Sequence, residues 1–86
     1  MRNDYQTKIA KFHGIIMTWQ FQNGYGASVV SHDYSYGGES ALWEGAVLHN
    51  DQIVYDTPIT DDVIGWMNDS DVDQFLARIE ALPEKG

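Results

Sequence analysis

Asn23-Gly24 is the feature that most narrows what this chain can become. The tightest hairpin turns need positive φ at both central residues, and Asn-Gly reaches that conformation more readily than other pairs. The preceding residues alternate in polarity. Met17, Trp19 and Phe21 are apolar and Thr18, Gln20 and Gln22 are polar, the period of a strand buried on one face. A two-residue turn at Asn23-Gly24 predicts strands at Ile15–Gln22 and Tyr25–His32. It pairs Trp19 with Ser28, Met17 with Val30 and Ile15 with His32, and sets Phe21 opposite Gly26.

Downstream, Asp33–Ser40 reads as a loop punctuated by Gly37-Gly38. A third strand is expected at Ala41–His49, a turn at Asn50-Asp51, and a fourth strand at Gln52–Thr57. Pro58 ends that strand because it cannot donate to a ladder. Ile59–Met67 fits either a helical turn opened by Thr60-Asp61-Asp62 or a short strand at Val63–Met67. The period then changes: Val72, Phe75, Leu76, Ile79 and Leu82 form one stripe of an α-helix. Asn68 or Ser70 can cap it, Asp69, Asp71 and Asp73 lie in or near the first turn where the helix dipole favours anions, and Pro83 stops it. The expected fold is α+β, a four-stranded antiparallel meander with a C-terminal amphipathic helix packed on one face. Residues 1–86 are expected to form one domain, with 1–13 a peripheral N-terminal segment.

The chain has no cysteine, so neither disulfides nor thiolate metal sites can brace it. A chain this short buries about 60–65% of the surface it exposes when unfolded, so its Trp, Phe and Tyr side chains must supply much of the core. Trp19 and Trp43 are expected there. No apolar run reaches membrane-spanning length and the first eleven residues lack the apolar stretch of a secretory signal, so a cytoplasmic protein is expected.

Charge is divided sharply along the chain. Arg2, Lys8 and Lys11 outnumber Asp4 in the first eleven residues, whereas between Phe12 and Ala77 there is no Lys or Arg and ten Asp or Glu. Such a field repels phosphates and attracts basic protein surfaces, which disfavours direct nucleic-acid binding.

Candidate chemistry is sparse. Asp69, Asp71, Asp73 and Glu80 match positions 1, 3, 5 and 12 of a calcium-binding loop, but Gln74 stands where that loop needs Gly, and the same residues carry the helical stripe. His13, His32 and His49 fall at opposite ends of the expected meander; only His13, His32 and Asp33 could converge. Ser28, Ser31, Ser35, Ser40 and Ser70 lie in no nucleophile motif, and Gly24-x-Gly26 lacks the helix a phosphate cradle requires. A non-enzymatic protein without cofactor or metal is expected. The loop holding Tyr34 and Tyr36, with Trp43 and Trp66, is the better interface candidate, because Tyr and Trp combine apolar area with a polar handle, although Trp43 is weighed toward the core.

The strings NGYGASVV, SYGG, LWEGAVL and YDTPITDDVIGWM, followed by an acidic capped helix, resemble a group of small uncharacterised proteins of tailed bacteriophages. The resemblance covers about Asn23 to Leu82, with DTPITDDVIGWM its most distinctive part, and Gly45 stands where it leads one to expect a larger apolar residue. It implies a phage origin and a bacterial cytoplasm, and it supplies no activity. The resulting expectation is an accessory protein of host takeover that binds a host or phage protein with a basic surface. Asp56, Asp61, Asp62, Asp69, Asp71 and Asp73 would form an acidic face imitating nucleic acid, with Tyr34 and Tyr36 as anchors. The alternatives are a structural protein that self-associates through a sheet edge as a homodimer, and a calcium- or metal-regulated module.

Overall fold

The computed structural model describes residues 1–59 and 62–84; the expectations placed on Thr60 and Asp61 lie outside them. The chain forms strands β1 (Thr7–Lys11), β2 (Gly14–Gln20), β3 (Tyr25–Ser31), β4 (Trp43–His49), β5 (Gln52–Ile53) and β6 (Ile64–Met67), then helix α1 (Asp69–Glu80). All strand pairs are antiparallel. The order is β1-β2-β3-β4, with β5 and β6 pairing with different ends of β4. The class is α+β as expected, but the sheet has six strands rather than four.

The extra strands come from segments whose sequence hides them. β1 pairs along its length with β2 around the two-residue turn Phe12-His13, where both residues have positive φ without a glycine. Its five residues are all exposed, so no apolar alternation marks it. β6 bears out the short-strand reading at the end of Ile59–Met67, one residue shorter than Val63–Met67, while the helical turn opened by Thr60-Asp61-Asp62 begins on residues outside the described ones. The expected fourth strand shrinks to Gln52–Ile53, and the third begins at Trp43, after a 3₁₀ turn at Gly38–Ser40. Asn50 and Asp51 form the expected two-residue turn, both at positive φ.

The central hairpin differs from expectation by one residue. Gly24 alone of the Asn23-Gly24 pair has positive φ, Phe21 bonds Tyr25 across the loop, and Gln22-Asn23-Gly24 is a three-residue connection. Trp19 therefore faces Ala27, Met17 faces Val29 and Ile15 faces Ser31. A one-residue slip exchanges the faces of a strand. Ala27 and Val29 line the core where Ser28 and Val30 were expected.

That core holds Met17, Trp19, Phe21, Ala27, Val29, Val47 and Met67 from the sheet end against Val72, Phe75, Leu76 and Ile79 of α1. Trp43 is only partly buried; it packs on the core's margin, and its indole Nε1 donates to Asp69 Oδ1 at 2.9 Å. Gly45 is required rather than deviant. A Cβ there would lie 2.7 Å from both Met67 Cε and Phe75 Cε2, so those two side chains would have to shift to admit a larger residue.

Both ends of α1 are closed by side chains. Asn68, not Ser70, caps the start: its Oδ1 accepts from the Asp71 N–H (2.8 Å), and Asp71 Oδ2 accepts from the Asn68 N–H (3.1 Å). At the other end Asn23 Nδ2 reaches the carbonyls of Ile79 (2.8 Å), Leu82 (3.0 Å) and Glu80 (3.3 Å), satisfying acceptors that a helix terminus leaves open.

The N-terminal residues also reach the helix. The Arg2 N–H donates to Asp73 Oδ1 (2.7 Å), its guanidinium pairs with Asp4 and Glu80, and Asp4 accepts from the buried Trp19 Nε1 (2.9 Å). Tyr5 meets the Trp19 ring edge-on. The segment expected to be peripheral thus supplies the sheet's edge strand and a tie across the core.

Candidate functional site

Exposed aromatic residues gather at the end of the sheet away from Asn23. Tyr34 is 79% exposed, Tyr36 62% and Trp66 63%. Along residues 34–37 exposed and buried positions alternate, with Ser35 and Gly37 turned inward. Ser35 Oγ accepts from the His32 N–H (2.9 Å) and donates to the His32 carbonyl (3.0 Å), which fixes the loop and leaves the tyrosines facing outward. Tyr34 joins Phe12 and His32 in a cluster of edge-on rings, each with its centroid 5.3 Å from that of Phe12.

Trp66 arrives from β6 by a different device. β4 and β6 pair Gly45 with Ile64 and Trp43 with Met67, so Gly65 and Trp66 together oppose the single residue Glu44. This is a β-bulge, a feature that re-aims side chains and recurs beside functional sites. Met67 turns into the core, while Trp66 points outward at φ 60°, a conformation unfavourable for a bulky residue.

Two glycines set Trp66 against Tyr36. A Cβ on Gly65 would lie 2.5 Å from Tyr36 Cβ, and one on Gly37 3.1 Å from Trp66 Cα. The Trp66 N–H donates to the Tyr36 carbonyl at 3.3 Å. In the sequence the two backbones appear as separate dipeptides of opposite order, Tyr36-Gly37 and Gly65-Trp66, whose glycines allow the close approach but do not by themselves pair the two segments.

Between them lies an open cavity of about 230 Å³, lined by Asp33, Ser35, Tyr36, Gly37, Glu39, Ser40 and Trp66. A second, of about 300 Å³, lies beneath the other side of Trp66 and is bordered by Asp71, Phe75 and Arg78. A third, of about 600 Å³, lies at the Asn23 end and is lined by Phe21, Gln22 and Asn23, and two of its carboxylates, Asp4 and Glu80, pair with Arg2.

The expected acidic residues do not share one role. Asp71 caps the helix and borders the Trp66 cavity, Asp69 holds Trp43, and Asp73 holds the N-terminal arm. Asp56 and Asp62 are exposed and engaged in contacts, and Asp61 lies outside the described residues. Asp33 and Glu39, absent from the expected set, face the cavity with Tyr36. Of the three residues that could converge, His13 Nδ1 and Asp33 Oδ2 meet at 2.9 Å, while His32 Nδ1 accepts from the Tyr34 N–H. Where a calcium loop would have to be, residues from Asp69 onward are helical.

Among the described residues Asp4 has the one strongly shifted carboxyl. The Arg2 guanidinium hydrogen bond, opposed by partial desolvation and reinforced by the Trp19 indole, brings its pKa down to about 2; the same contact raises that of Arg2.

No helix among the described residues is long and apolar enough to cross a membrane. Comparison with known proteins returned no matching family model and no significant match to a curated protein or a solved structure.

Proposed function

We propose that this chain is a non-enzymatic bacteriophage accessory protein, acting in the bacterial cytoplasm by binding a host or phage protein that presents a basic surface. The observation that carries the reading is the Tyr36–Trp66 pair. A small domain that needs aromatic area for its core leaves these two rings exposed, and it holds the Trp in a backbone conformation costing roughly 1–3 kcal/mol. Interface hot spots are enriched in Tyr and Trp. Carboxylates surround them, in a chain with no Lys or Arg between Phe12 and Ala77, so a basic partner is favoured and nucleic acid repelled. Imitation of nucleic acid by Asp56, Asp61, Asp62, Asp69, Asp71 and Asp73 is the finer form of this proposal. The internal bonds of Asp69, Asp71 and Asp73 leave their charge in place.

The test is a tagged pull-down from phage-infected cells with wild type and Trp66→Gly, a change that removes the ring and suits the backbone. A partner retained by wild type and lost with Trp66→Gly supports the reading. A partner that Trp66→Gly holds equally well, or none at all, overturns it.

Self-association through a sheet edge is favoured by one observation, the full exposure of β1. Lys8 and Lys11 on that edge act against it, since edge lysines oppose strand addition by a like chain. Sedimentation that shows a dimer reversed by Ile9→Pro would establish this second reading.

A further inference from the structure

We infer that the cavity between Tyr36 and Trp66 takes one arginine side chain of the partner protein. The inference rests on the reading of this rim as a protein-binding surface and names what the rim recognises.

Size comes first. Drug-sized ligands occupy about 300–1,000 Å³ of largely enclosed space, whereas this cavity is about 230 Å³ and open to solvent. It suits one side chain entering from outside.

Charge narrows the choice to a cation. Asp33 and Glu39 line the cavity, and no Lys or Arg among the described residues does. One oxygen of Asp33 meets His13, while Glu39 makes no hydrogen bond or ion pair with any of the described residues. An apolar guest would strip water from these carboxylates without replacing its hydrogen bonds, and a phosphate would be repelled. The neighbouring cavity beneath Trp66 is bordered by Arg78, so a second cation is less well received there.

The aromatic walls select among cations. A guanidinium is planar, stacks on aromatic faces and forks toward carboxylate oxygens, whereas an ammonium is a compact, strongly hydrated point charge. Tyr and Trp faces attract either cation, but only the guanidinium can stack on them while its edge donates to Asp33 or Glu39. The backbones that carry the two rings are fixed to one another, because Gly37 and Gly65 let them touch and the Trp66 N–H donates to the Tyr36 carbonyl. Little backbone is left to order on binding.

The experiment uses the whole chain, labelled with ¹⁵N, and three acetylated and amidated tripeptides: Gly-Arg-Gly, Gly-Lys-Gly and Gly-citrulline-Gly. The arginine peptide should shift the Trp66 indole N–H and the Gly37 amide in a saturable way, with a dissociation constant on the order of millimolar, as expected for one solvated contact. The lysine peptide should bind several-fold more weakly, and the citrulline peptide, which has the shape without the charge, about tenfold more weakly. Glu39→Gln should weaken the arginine peptide while leaving the fold intact, and Trp66→Gly should abolish the response at Gly37. Equal binding of the citrulline and arginine peptides would overturn the inference. So would arginine-induced shifts that scatter over remote carboxylates such as Asp51 and Glu84 and persist in Trp66→Gly. Failure here is separable from failure of the broader reading. If the pull-down partner depends on Trp66 but the arginine peptide is ignored, the rim binds protein by other contacts and only the arginine assignment falls.

Discussion

Trp19 and Trp66 show how one small chain uses the same residue in two ways. Trp19 is 1% exposed, alternates regularly with its strand neighbours and has its indole N–H satisfied by Asp4. Trp66 is 63% exposed, interrupts its strand with a bulge and occupies a left-handed conformation. Around Trp19 the periodicity, turn chemistry and burial agree, as they do in regions selected for folding. Around Trp66 those levels conflict, a departure that the proposed function attributes to binding.

The largest test of that contrast is a pair of substitutions compared by chemical denaturation. Trp19→Ala should lose about 3–5 kcal/mol, enough to unfold a domain of ordinary stability. Trp66→Gly should stay within about 1 kcal/mol of wild type and on the stable side, because relieved backbone strain offsets the added freedom of glycine. Comparable losses at both positions would erase the distinction.

A smaller effect sharpens the packed side of the comparison. Gly45→Ala should lose about 1–3 kcal/mol, since its methyl group must displace Met67 and Phe75 in a filled core. A neutral result in thermal melts would mean that the helix can ride higher on the sheet than its contacts indicate.

The smallest effect concerns pH and the tie between Asp4, Arg2 and Trp19. A carboxyl depressed in the folded state stabilises above its unfolded value and loses that contribution as pH falls through the folded one. The melting temperature of wild type should therefore exceed that of Asp4→Asn at neutral pH, and the gap should close between about pH 4 and pH 2. A gap that persists unchanged at pH 2 would show that the carboxylate charge is not what holds the arm. The tie is solvent-exposed, so the gap is expected to be modest.

These contrasts also explain what could be read from the sequence. The helix was legible because a five-residue apolar stripe, an Asn cap and a following proline all agree. The central hairpin was legible in position but not in register, since Asn-Gly permits a three-residue loop as well as a two-residue one, and the choice moves every pairing by one. β1 was hidden because an exposed edge strand carrying two lysines has no apolar face to announce it. The acidic string Asp69, Asp71 and Asp73 looked like one surface, but alternate residues on a helix point in different directions, and each found a separate internal partner. Replacing Asp61, Asp62, Asp69 and Asp71 together by Asn, a natural test of an acidic face, would therefore also disturb the helix start and the Trp43 anchor. Tyr36 was recognised as exposed; its partners Trp66 and Glu39 come from 30 residues downstream and from the far side of a glycine turn, a proximity that only the fold creates.

Asn23 has a consequence in time as well as in space. Asn-Gly is the dipeptide most prone to spontaneous deamidation, in which the following backbone nitrogen attacks the side-chain amide. Here the Gly24 N–H is engaged by Phe21, Asn23 Oδ1 accepts from the Tyr25 N–H, and Nδ2 is clasped by the carbonyls of Ile79 and Glu80 in the helix and Leu82 just after it, so the attack requires this end of the molecule to open. Once it has happened, a carboxylate faces those carbonyls at the negative end of the helix dipole, and the clasp cannot re-form. Deamidation followed by mass spectrometry in stored protein would thus act as a clock for local opening, slow while hairpin and helix stay joined and faster once they part.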